Sequence, residues 1–126
     1  MYVVLSSATE IDVRPLSRLF RALGDETRLR IVALLAHGEL CVCHIEQALS
    51  LSQPNASRQL GILRTAGVVD GRREGTWVYY RIADQDHAAV QQVVALLAAS
   101  FGAERTLRAD LVRVRRSCGP NATTCK

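Results

Sequence analysis

A mainly α-helical domain with one small β-hairpin is the fold that this sequence predicts, on three observations. Apolar residues recur at spacings of three and four through most of the chain, the signature of helices with one buried face. Only between Val68 and Ile82 does the pattern give way to short β-branched and aromatic runs. The length, 126 residues with 48% hydrophobic and 5% aromatic content, suits one domain with an aliphatic core.

The elements follow in order. Residues 1–13 have no periodic pattern and read as a flexible arm. Pro15 opens a helix with Leu16, Leu19, Phe20 and Leu23 at helical spacing, and Gly24 ends it. Asp25 caps a second helix, Glu26 to about Ala36, that buries Leu29, Val32 and Leu35 before His37-Gly38 stops it. A short helix from about Cys41 to Leu49 and a polar break, Ser50-Leu51-Ser52, come next. Ser52 then caps a helix with Pro54 in its first turn, where a missing N–H costs nothing. Ala56, Leu60 and Leu63 form its inner stripe; Asn55, Arg58, Gly61 and Ile62 lie opposite, with Gln53 and Ser57 at the leading end.

Val68–Arg73 and Thr76–Ile82, around Glu74-Gly75, form the hairpin, with Trp77 and Tyr80 expected to support it from the core. Asp84 or Asp86 caps a long helix whose stripe is Val90, Val93 or Val94, Leu97 and Phe101. Leu107, Leu111 and Val114 mark a last helix before a polar tail with Cys118 and Cys125.

Composition narrows the function. The longest apolar run, residues 93–99, is far short of the roughly 20 residues of a membrane span. The first residues lack a basic, then apolar, leader, so a cytoplasmic location is expected. The net charge of +4 is unevenly placed: residues 53–81 carry +3 and residues 105–126 carry +5, against −3 over 82–104. Fifteen of the sixteen basic residues are Arg, the side chain suited to two-pronged contacts with phosphate or guanine.

Two short helices across a tight break, then a twisted hairpin, describe a winged helix-turn-helix. The second helix of the pair enters the major groove of DNA while the first crosses the backbone. Gln53, Asn55, Ser57 and Arg58 are then placed to read base edges, and Arg72 and Arg73, at the hairpin tip, to touch the flanking backbone or minor groove. The Ala- and Val-rich helix after residue 84 has more apolar surface than so small a fold covers. With the first helix it suggests a two-fold homodimer that spaces two reading helices about 34–36 Å apart. Residues 14–102 thus make the DNA-binding and dimerisation domain, and 103–126 a C-terminal helical extension with a Cys-containing tail.

Four cysteines in a reduced compartment are not expected to be disulfides. Cys41 and Cys43 open the first helix of the reading pair, where the helix dipole favours thiolate. Two close thiolates suit a soft ion. Oxidation of the same thiols is the alternative signal. An enzyme is not expected: Cys43-His44 point apart on a helix, and neither a Gly-rich phosphate loop nor a carboxylate pair accompanies them. A catalytic cofactor is likewise not expected.

Leu23-Gly24-Asp25-Glu26-Thr27-Arg28-Leu29-Arg30-Ile31, Glu39-Leu40-Cys41-Val42-Cys43, Ser52-Gln53-Pro54-Asn55-Ala56-Ser57-Arg58-Gln59-Leu60 and Gly75-Thr76-Trp77-Val78-Tyr79-Tyr80-Arg81 resemble the ArsR/SmtB family in order and spacing. The resemblance covers about residues 14–100 and implies a homodimeric winged-helix repressor released from its operator by an ion. The Glu-Leu-Cys-Val-Cys string resembles the arsenic-responsive branch and implies trivalent arsenic or antimony as inducer. Such relatives often carry a third cysteine where this chain has Glu46, so the resemblance sends the third thiolate to Cys118 or Cys125. Cys118 is preferred because it follows directly on the last helix, and either protomer could supply it. The family's other common site, for zinc on the last long helix, is not expected: Asp84, Asp86 and His87 start such a pattern without a second His.

Overall fold

A computed structural model describes residues 13–84, 88–99 and 103–118. The described helices are α1 (Val13–Leu23), α2 (Glu26–Leu35), α3 (Val42–Leu49), α4 (Gln53–Thr65), α5 (Ala88–Ala99) and α6 (Arg105–Cys118); the strands are β1 (Leu40–Cys41), β2 (Val69–Glu74) and β3 (Trp77–Ile82). This is the expected mainly helical fold with a small β element. Residues 1–12 of the arm and the tail with Cys125 lie outside the described residues, as do Asp86, His87 and Phe101, while Val13 already belongs to α1. Among the described residues no helix is long and apolar enough to cross a membrane.

Local chemistry sets the helix ends. The Asp25 carboxylate accepts from the Arg28 backbone N–H at 3.0 Å, satisfying a free donor at the start of α2. Ser52 does the same for Asn55 at the start of α4. Ser50 ends α3 in the left-handed region at φ 53°, letting the Leu51 N–H reach back to the Glu46 carbonyl at 2.9 Å. That tight break joins α3 to α4 and completes a helix-turn-helix.

The second half of α2, Ile31 to Leu35, is buried on all sides and forms the centre of the core. Ala56, Leu60 and Leu63 bury the inner face of α4, as expected. Val90, Val94 and Leu97 do so for α5. Leu107 and Val114 hold α6 to the core, with Leu111 packed beside them.

The sheet has one strand more than the hairpin expected. β1 pairs antiparallel with β3, giving the order β1-β3-β2. Cys41 is therefore a strand residue and the N-cap of α3, rather than its first helical residue. Two residues carry no periodic pattern, so only their distant partners Tyr79 and Tyr80 reveal the strand. The hairpin closes at Gly75-Thr76, with Gly75 at φ 63°, a conformation costly for other residues.

Of the two aromatics expected to support the hairpin, one does and one does not. Tyr80 packs on the core, and Gly71 opposite leaves room for it: a Cβ there would sit 3.0 Å from the ring. Trp77, expected to support the hairpin from the core, is instead 41% exposed. The buried aromatic on that outer face is Tyr79, which forms a small separate cluster with Cys41, flanked by Val42 and Cys43.

Candidate nucleic-acid interface and thiol pair

α4 presents Gln53, Ser57, Arg58, Gly61 and Ile62 to the exterior, with Asn55 half-buried. Its orientation is fixed by a chain of polar contacts. Arg28 on α2 donates through Nε to the Ala22 carbonyl at 2.7 Å, and through a terminal nitrogen to Gln59 Oε1 at 3.1 Å. Buried Gln59 passes the connection on, donating Nε2 to Asn55 Oδ1 at 3.2 Å. Arg58 donates to that same oxygen, also at 3.2 Å. The Asn55 carbonyl oxygen is thus engaged by two neighbours, and this side chain sets the pose of Arg58 as much as it faces outward. Gln59, on the inner half of α4, was not among the sequence-derived candidates; its spacing of four from Asn55 was the available signal.

The two wing arginines part company. Arg73 is exposed, and no hydrogen bond or ion pair engages it among the described residues. Arg72 turns back along the sheet. It donates to both Glu39 oxygens, Nε at 3.0 Å to one and a terminal nitrogen at 2.7 Å to the other, and to Glu74 at 2.8 Å. Its guanidinium carbon lies 4.5 Å from the centre of the Tyr79 ring, within cation–π range. The bond from Arg72 holds the Glu39 carboxyl below its usual range, and bonds to Glu39 and Glu74 raise Arg72 further above its own. Binding a phosphate would require Arg72 to leave two carboxylates.

Cys41 is fully buried and Cys43 half-buried, and their sulfurs lie 3.3 Å apart. Both sit at the start of α3, the end of a helix with positive partial charge. At that separation the pair can share one ion or close a disulfide with a small movement. Among the described residues no three His, Cys, Asp or Glu side chains group as a metal site. Cys118 is the last residue of α6, and α6 packs along α3 and α2. Arg113 anchors it there, donating Nε to the Ala48 carbonyl at the end of α3 at 2.7 Å.

Comparison with known proteins gives these sites a context. Residues 25–70 match the family model for bacterial regulatory proteins of the arsR family. An arsenic resistance transcriptional regulator of Pseudomonas putida is 54% identical over 65 residues, 51% of either chain. The match thus spans about half the length of that relative. The arsenical resistance operon repressor of Escherichia coli is 46% identical over 78 residues, covering 61% of this chain and 67% of the relative. Among solved structures, the homodimeric winged helix-turn-helix DNA-binding domain of a possible ArsR-family transcriptional regulator from Mycobacterium bovis superposes with a TM-score of 0.58. It has 38% identity, over 71% of this chain and 85% of that one.

Proposed function

Because this chain belongs to the arsR family of bacterial regulatory proteins, we propose that it is a cytoplasmic transcriptional repressor, bound to operator DNA as a homodimer and released by trivalent arsenic or antimony. The observation that carries the reading is the 3.3 Å sulfur pair at the start of the first helix of the helix-turn-helix. Two sulfurs this close could hold one soft ion between them, and trivalent arsenic and antimony are soft ions that prefer thiolate.

Cys118 completes the ligand set in this reading, supported by the packing of α6 on α3. Gln53, Ser57 and Arg58 face the bases, with Asn55 holding Arg58, and Arg73 meets the backbone from the wing. The dimer forms through α1 and α5. Supporting it are exposed Val13, Phe20 and Leu96, and a groove of about 590 Å³ where Phe20 joins Leu23, Leu29, Val93 and Leu97. The relative from Mycobacterium bovis is also a homodimer.

Anisotropy of a labelled fragment from upstream of this chain's gene, titrated with antimonite, tests the proposal. Release of the wild type, with Cys41→Ser and Cys43→Ser still bound but unresponsive, is the expected result. Unchanged affinity of the wild type sinks it. A thiol-redox repressor is the second reading, favoured by the same sulfur proximity. Release by peroxide but not by antimonite would select it.

A further inference from the structure

We infer that the sheet carries the ion signal from Cys41 to the wing, with Glu39 and Arg72 as positioning residues; this rests on the metalloid reading above. Directly opposed residues of an antiparallel sheet share a face. Cys41 opposes Tyr79, and Tyr79 opposes Arg72, so the three stand in one row across β1, β3 and β2. Cys41 and Tyr79 are buried against each other, away from the main core, and the Arg72 guanidinium covers the ring.

A second connection runs beside the first. Glu39 lies two residues before Cys41 and takes both prongs of Arg72. Arg72 also holds Glu74, which opposes Trp77 in the pair that closes the wing. The wing tip is therefore tied to Cys41 through an aromatic ring and through two residues of backbone.

A sulfur with no exposed surface cannot accept an ion unless its neighbours give way. Those neighbours are Tyr79, Val42 and Cys43. When Cys41 turns to share an ion with Cys43, the Tyr79 ring loses its packing partner and Glu39 moves with the strand. Arg72 then loses both its seat and its bidentate partner, and the wing that carries Arg73 shifts on the DNA. The strap is half exposed, so it is soft enough for a ligand to reset.

Trp77, the only tryptophan in the chain, stands on the same face two residues from Tyr79 and reports on the wing directly. Antimonite is added to the full-length protein while thiolate–antimony absorption, Trp77 emission and operator anisotropy are followed. In the wild type all three respond, with release of roughly tenfold or more. In Glu39→Gln and Arg72→Gln the absorption develops as in the wild type, the emission change is lost, and release falls to within about threefold of each variant's own metal-free affinity. The double variant loses no more than either single one, because both cut the same link. Normal absorption with unchanged Trp77 emission in the wild type overturns the relay alone, as do full release in either variant and additive losses in the double. Absence of absorption in the wild type overturns the metalloid reading and the relay with it.

Discussion

Arg30 on α2 and Asp110 on α6 are joined by two parallel hydrogen bonds, Nε to Oδ2 at 2.9 Å and a terminal nitrogen to Oδ1 at 2.8 Å. The carboxylate has no exposed surface, and Arg113 also donates to it. Its bond raises Arg30 above the ordinary arginine range. A buried carboxylate between two guanidinium groups fixes where α6 sits on α2. Since Arg113 also reaches the Ala48 carbonyl, the same cluster secures the end of α3. The helix that ends in Cys118 and the helix opened by the thiol pair therefore share one electrostatic anchor.

Asp110→Asn leaves Arg30 and Arg113 without their common counter-charge. Breaking a buried pair costs about 3–5 kcal/mol; the part-exposed arginines can turn to water, which lowers the expectation to about 1–3 kcal/mol. Urea unfolding followed by circular dichroism measures it. A loss within about 0.5 kcal/mol, the range of an ordinary surface change, would show that α6 is not anchored there.

If Cys118 is the third thiolate, Cys118→Ser should weaken antimonite binding at least tenfold, about 1.4 kcal/mol, and leave metal-free operator binding intact. Cys125→Ser should leave both alone. Competition titration against a dithiol, with mass spectrometry of the bound protein after alkylation of free thiols, separates the two. Equal loss in both variants, or loss only in Cys125→Ser, rejects this ligand set.

Much of this was legible in the sequence because it is local. The Ser52 cap, Pro54 and the Ala56–Leu60–Leu63 stripe define α4 within a dozen residues, and Gly75 marks its turn. What escaped depends on partners far along the chain. Asp110 looks like a solvated residue on an arginine-rich helix until α2 lies against it. Alternation divides the hairpin into two faces without saying which residue on the outer face is covered. Tyr79 rather than Trp77 is buried there because β1 brings Cys41 alongside it, and a two-residue strand leaves no signal. Arg72 and Arg73 are equivalent as sequence; the carboxylate of Glu39, brought in by the same strand, distinguishes them.

Arg58 and Arg73 should therefore behave differently from Arg72 in metal-free DNA binding. On the proposal that Arg58 faces the bases, Arg58→Ala should cost about 1–3 kcal/mol, with relaxed sequence preference. Arg73→Ala should weaken specific and non-specific DNA alike and lower the salt slope by about one. Arg72→Ala should change the slope by less, since its charge is already matched by Glu39 and Glu74. Anisotropy over a range of salt concentrations reads all three. A larger drop for Arg72 than for Arg73 would put the strapped arginine on the phosphate after all.

The dimer reading turns on Phe20. Its side chain is 55% exposed on α1, yet it borders a mostly apolar groove that includes Leu23, Val93 and Leu97, a surface suited to an apolar occupant. In a two-fold interface each copy presents the same surface, so a carboxylate at this position is introduced twice, on both sides of the contact. Phe20→Glu should then convert a dimer at micromolar concentration to monomer in sedimentation velocity. Unfolding of the isolated chain should change by no more than about 1 kcal/mol, because the ring is only partly buried within one copy. Operator affinity should fall far more than monomer stability, since two tethered reading helices gain about 10²–10⁴ over one by effective concentration. A Phe20→Glu protein that remained dimeric would move the interface away from α1.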